Sequence, residues 1–123
     1  VLRVDRKCHM GRTYEDYLAH MTQNPDALVC QMDSVVIHKG GQVILTILLT
    51  TCDLQLMFLR ERNTASSVTE IFQDLRRTLG ETYFRMLFQV IVTDRGSEFT
   101  DPVRIETDPK TGTVNAVCFT VIP

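Results

Sequence analysis

The sequence predicts an α/β domain: a three-stranded antiparallel meander, then a crossover helix and parallel strands. Three observations carry that expectation. Three apolar runs rich in Val, Ile, Leu and Thr follow one another over 27–60, separated by short polar links. A helical stripe with 3.6-residue spacing follows over 64–80. A further apolar run then ends abruptly at Asp94.

The elements follow in chain order. Residues 1–26 read as a lead-in and a short amphipathic helix. In GRTYEDYLAHMTQNP, Thr13 is the N-cap with Asp16 three residues on. Tyr14, Tyr17, Leu18 and Met21 share one face, and Pro25 closes the segment. ALVCQMDSVVI, QVILTILLTT and LQLMFLR then read as strands. His38-Lys39-Gly40-Gly41 makes the first turn and Cys52-Asp53 the second. The middle strand is almost wholly apolar, which predicts a central position covered on both faces.

NTASSVTEIFQDLRRTLG is the clearest helix. Val68, Ile71, Phe72, Leu75 and Leu79 form its stripe, Thr64 or Ser67 caps it, and Gly80 ends it. A helix after a meander returns the chain by a right-handed crossover. The fourth strand, Gln89 to Thr93, is therefore expected beside the first and parallel to it. From Asp101-Pro102 to Gly112 the chain reads as polar loop, and Val114 to Ile122 as a last strand. No helix follows that strand, so the domain reads as cut before its final helices.

Composition narrows the class. A chain of 123 residues with 44% apolar and 23% charged content is one ordinary globular domain. The longest apolar run, Val43 to Thr51, has strand length, well short of the ~20 residues of a membrane helix, and no membrane association is expected. The lead-in VLRVDRKCHM has no apolar core of a signal peptide, and without an initiator Met it reads as the start of an excised fragment. Cys8, Cys30, Cys52 and Cys118 show no CxxC pairing, and with His9, His20 and His38 make no zinc spacing. They read as buried reduced thiols, which points to the cytoplasm. The net charge of −2 argues against a basic nucleic-acid footprint.

Two carboxylates draw the chemistry. Asp94 ends the fourth strand, and Asp33 interrupts the first. A lone carboxylate inside a buried run is costly unless it is paired, hydrogen-bonded or bound to metal. If strands one and four are neighbours, Asp33 and Asp94 face one another, and a hard divalent cation such as Mg²⁺ or Mn²⁺ relieves their repulsion. The plain alternative stays open: Asp94-Arg95-Gly96 as a turn, and Asp33 as a solvated edge residue. A haloacid-type phosphatase is set aside, because it needs a second Asp where this chain has Val35.

The stretches GRTYEDYL, VCQMDSV, Lys39-Gly40-Gly41 and VIVTDRGSEF, in that order and spacing, resemble the catalytic core of bacterial insertion-sequence transposases of the "thirty" family. The resemblance runs from about Gly11 to the end and implies a ribonuclease-H-like fold of the retroviral-integrase type. On that basis 27–123 is the catalytic core, lacking its C-terminal part. It implies a DNA transposase that carries out metal-dependent phosphodiester hydrolysis and strand transfer. A triad of two Asp and one Glu would hold two Mg²⁺ (or Mn²⁺) ions. The first Asp falls on Asp33 and the second on Asp94, as catalytic and metal-holding residues. The partners implied are double-stranded DNA, as transposon ends and target, and further copies of the chain.

Two departures stand out. Arg95 takes the place of the usual Asn after the second Asp, where it would contact phosphate or pair with Asp94. The family's Glu lies on a helix after the last strand, beyond Pro123. Glu98 reads better as a cap or as a partner for a nearby Arg, and Glu106 and Asp108 as residues of a flexible loop. Lys39, Arg62 and Arg95 are the candidate DNA contacts, with Arg60, Arg76 and Arg77 possible members of the same phosphate track. The rival readings are a catalytically inactive ribonuclease-H-like fragment that serves assembly or dimerisation, and an unrelated α/β binding domain with a fortuitous Asp pair.

Overall fold

The computed structural model describes residues 9–121, so Cys8, most of the lead-in and Ile122 lie outside the described residues. The elements are α1 (Tyr14–Gln23), β1 (Val29–Val36), β2 (Val43–Leu49), β3 (Leu54–Arg60), α2 (Ala65–Leu79), α3 (Glu81–Leu87), β4 (Val90–Thr93), α4 (Pro102–Glu106) and β5 (Val117–Thr120). A single 3₁₀ turn, Ser97–Phe99, sits between β4 and α4. The strands form one sheet in the order β3-β2-β1-β4-β5. The meander pairs β1, β2 and β3 antiparallel, while β4 runs parallel to both β1 and β5. The α/β class is as expected, and so is the crossover that returns β4 to the side of β1.

Alternation along the strands divides the core in two. Cys30 and Met32 of β1, Leu45, Ile47 and Leu49 of β2, Ile91 of β4 and Cys118 of β5 turn one way. There they meet Val68 and Phe72 of α2, Phe84 of α3 and Ile105 of α4. Phe72, Phe84 and Phe88 are fully buried, and their ring centroids lie 4.9 to 6.2 Å apart. On the other face α1 lays Tyr17 and Met21 over Val90, Val92 and Phe119. The α1 cap forms as its sequence predicts, with Thr13 and Asp16 exchanging hydrogen bonds. These bonds, from the backbone first and then the hydroxyl, hold the Asp16 carboxyl below its usual range.

Several expectations need correction. The apolar β2 lies next to the edge strand, one face buried and the other half-buried, because α1 covers only the β4–β5 half of the second face. Residues 81–87 form a helix, α3, that the periodicity does not predict, and β4 begins at Val90, not Gln89. Gly80, at φ 80°, lets α2 stop and α3 begin at once, so Phe84 and Phe88 reach the core at i, i+4 spacing. The stretch after Asp101 is not loop throughout: Pro102 opens α4 and Asp101 caps it. The last strand shortens to Val117–Thr120, with Val114 in an isolated bridge to Thr107. Thr64, not Ser67, caps α2 through its hydroxyl. Tyr14 and Leu18 stand exposed, and only Tyr17 and Met21 of the predicted α1 stripe are packed. Among the described residues the cysteines are free, but Cys52 is exposed in a turn. Burial pushes the Cys30 thiol up to about 12 and raises Cys118 as well.

Candidate active site

Strand pairing brings Asp33 and Asp94 toward each other. In the parallel ladder Val29 pairs with Val90 and Gln31 with Val92. Two residues further along each strand stand Asp33 and Asp94. Side chains two apart share a face, so Asp33 continues the face of Val29, and Asp94 that of Val90 and Val92. Both carboxylates therefore lie toward the C-terminal ends of neighbouring parallel strands, where open α/β sheets place ligands.

Asp33 is not buried. It is exposed on the uncovered part of the sheet, its Oδ1 taking the Ser34 N–H at 2.8 Å, and its carbonyl taking the Thr46 hydroxyl at 3.3 Å. An exposed Asp33 thus carries no desolvation cost for a metal to offset. Asp94 is half-buried, and its Oδ1 accepts the Gly96 N–H at 2.7 Å. Neither carboxylate has an ion pair among the described residues.

Such a pair offers hard oxygen donors with capacity to spare, which suits Mg²⁺ or Mn²⁺ with water and substrate oxygens completing the shell. Among the described residues no group of three or more His, Cys, Asp or Glu is arranged to hold an ion. The two aspartates would supply only part of such a shell.

The remaining candidates separate cleanly. Glu98 is only 7% exposed, and among the described residues it neither caps a helix nor forms an ion pair. Its carboxylate folds back over Gly96, so that a methyl group there would overlap Glu98 Oε1 and lie 2.9 Å from Asp94 Oδ1. Glu106 is no loop residue: it is buried in α4, ion-paired with Arg12 and accepting the Cys118 N–H at 2.7 Å. Asp108 turns its carboxylate onto the Lys110 N–H.

Of the basic residues, Lys39 follows β1, Arg62 follows β3 and Arg95 follows β4. Because β1, β3 and β4 all run the same way, these three exposed cations sit at one end of the sheet. Arg95 forms no ion pair with Asp94. With burial as the larger cause, its charge lowers the pKa of His9. Arg60 and Arg76 are removed from the phosphate track, because both are buried. Arg76 donates to Asn115 and the Ile105 carbonyl and lies over the Phe84 ring. Arg77 is exposed and paired with Asp74.

No family model matches the sequence, and no curated protein is similar to it. Among solved structures the fold is similar to the catalytic core domain of BIV integrase. The TM-score is 0.51 and the identity 21%, over 73% of this chain and 53% of that one. The chain thus spans about half the length of that neighbour. The fold is α/β and ribonuclease-H-like, built like an integrase core. No helix among the described residues is long and apolar enough to cross a membrane.

Proposed function

We propose that this chain carries the catalytic core of a DNA transposase of the insertion-sequence "thirty" type, a polynucleotidyl transferase acting on phosphodiesters. One observation carries the reading: Asp33 and Asp94 stand on one face of adjacent parallel strands, two residues beyond the paired Gln31 and Val92. The integrase-like fold supports it, as does the order of VCQMDSV and VIVTDRGSEF along the chain.

Each residue has a task in this reading. A divalent cation held by Asp33 and Asp94 would polarise the phosphodiester and the attacking oxygen. The β1–β4 ladder fixes the spacing of the two carboxylates. The Ser34 and Gly96 amides each take one oxygen, which orients the other. Lys39, Arg62 and Arg95 supply positive charge at the same end of the sheet, for DNA phosphates. Two carboxylates without a third would bind the ion weakly and turn over little DNA. The other reading, a non-catalytic assembly module, draws on the edge strand β3, where Leu54, Met57 and Leu59 are exposed.

The test is Mn²⁺ calorimetry on the parent chain and on Asp33→Asn and Asp94→Asn. Weak binding that both substitutions abolish is expected. Equal binding in all three proteins, or none in the parent, would reduce the likeness to one of fold and favour the assembly module.

A further inference from the structure

Arg60 ends β3 with only 4% of its surface exposed. The alternation that places Leu56 and Phe58 against the core carries Arg60 to the same side. Its Nη2 donates to Ser34 Oγ at 2.8 Å and to Asn63 Oδ1 at 3.0 Å, and its Nη1 to Ser67 Oγ at 2.9 Å. One guanidinium thus ties β3 to β1 and to the first turn of α2. Ser34 is the residue after Asp33, and its N–H is the donor on Asp33 Oδ1.

A buried guanidinium cannot shed its charge and calls for a carboxylate nearby. Desolvation works against the charged form of Arg60, and the charge of Glu98 works for it, although the two form no direct ion pair. Glu98 accepts no hydrogen bond among the described residues, and it lies across Gly96 against Asp94. Two buried, oppositely charged groups therefore lie next to the segments that carry the candidate acids, on the sheet face that α2 covers. One touches the strand of Asp33 and the other covers the loop of Asp94.

We propose that Arg60 and Glu98 act as a positioning pair that sets the placement of Asp94 relative to Asp33. This rests on the reading of those aspartates as the ion-holding pair. Neither residue of the pair ligates the ion. Arg60 works through Ser34, and Glu98 works through the turn at Gly96. The turn's own bonds are all local: Gly96 N–H to Asp94, the Thr93 hydroxyl to the Asp94 carbonyl, Phe99 N–H to the Gly96 carbonyl and the Thr100 hydroxyl to the Ser97 carbonyl, so none of them ties it to β1.

Two variants test the pair. Glu98→Gln keeps the shape and removes the charge, while Arg60→Lys keeps the charge and loses the three-way fork. Amide exchange without metal should be about tenfold faster at Gly96 and Phe99 in both variants, with the β2 amides of Leu45 and Ile47 unchanged. Mn²⁺ affinity should fall about tenfold or more, as when groups behind a ligand are lost. Unchanged exchange at Gly96 in either variant overturns the proposal. Faster exchange with undiminished Mn²⁺ affinity overturns it too, because the pair would then only anchor a loop. A parent chain that binds no Mn²⁺ overturns the ion-holding reading itself, and the parent measurement alone separates that case from the others. Should Arg60→Lys fail to fold, Glu98→Gln, which sacrifices no hydrogen bond, decides the matter.

Discussion

Replacing Gly96 with alanine tests the tightest point of the Asp94 turn. The backbone at Gly96 has φ −59° and ψ 148°, a conformation open to any L-residue. Alanine there carries no backbone strain, and by restricting the unfolded chain it should stabilise by about 0.4–1 kcal/mol. The obstacle is purely steric. The new methyl would overlap Glu98 Oε1 and stand 2.8 Å from Glu98 Cδ and 2.9 Å from Asp94 Oδ1. Real Cβ atoms do not approach so closely, so the Glu98 carboxylate must leave its buried seat or the turn must open. Overpacking of this kind costs about 1–3 kcal/mol, which outweighs the entropic gain and leaves a net loss of about 1–2 kcal/mol.

The assay is a double-mutant cycle of thermal and urea melts on the parent, Gly96→Ala, Glu98→Ala and the double variant. With about 4 °C per kcal/mol for a domain of this size, the single Gly96→Ala variant should melt about 4–8 °C lower. In the Glu98→Ala background two of the three close approaches vanish and only Asp94 Oδ1 remains. The penalty should then fall to less than half, giving a coupling of about 1 kcal/mol. An equal penalty in both backgrounds would show that the cost lies in the backbone and refute the reasoning. So would a Gly96→Ala variant more stable than its parent.

Three further outcomes follow from the core. Phe72→Ala empties the space against the edges of Phe84 and Phe88 and should cost about 3–5 kcal/mol in urea unfolding; a loss below about 1 kcal/mol would mean that the rings are loosely packed. Asn115→Ala takes from buried Arg76 the acceptor of its Nε and one of the two acceptors of its Nη2, and should cost about 2–4 kcal/mol. Adding Arg76→Met should cost less than the separate losses combined, whereas strict additivity would refute the coupling. The Cys30 thiol, raised from 9.0 to about 12 by burial, holds its proton more tightly when folded. Its contribution is therefore complete below pH 9 and is lost as pH rises from 9 toward 12, at about 1.4 kcal/mol per pH unit. Denaturant midpoints between pH 8 and 11 should show that decline, and Cys30→Ala should make it shallower; an identical slope would assign it elsewhere.

Periodicity and turn chemistry made most of the fold legible. The meander was readable because its three runs are long and Gly40-Gly41 punctuates them, and α2 because one stripe recurs through four turns. What stayed hidden was short. The residues of α3 fill only about two turns, and Leu87 adjoins the apolar start of β4, so period two and period 3.6 overlap there. In α4 only five residues are helical, and the signal was Asp101-Pro102, an N-cap with proline at N1.

The site divides along the same physical line. Asp33 and Asp94 stand out because they break apolar runs, but a run of apolar residues guarantees burial of one sheet face only. On the other face α1 covers β4 and β5, which leaves Asp33 exposed. Arg60 was the opposite case. A charged residue at the end of LQLMFLR reads as a solvated strand terminus, but even-numbered Leu56 and Phe58 point into the core, and Arg60 shares their parity. A cation delivered by parity to a buried face must be answered by acceptors, and Ser34 near the end of β1, Asn63 in the link after β3 and Ser67 in the first turn of α2 are all polar. That coincidence of charge, parity and nearby hydroxyls was present in the sequence. It became readable only with the strand order, because Ser34 lies one strand beyond the neighbour of β3, and no local pattern connects positions 34, 60 and 98.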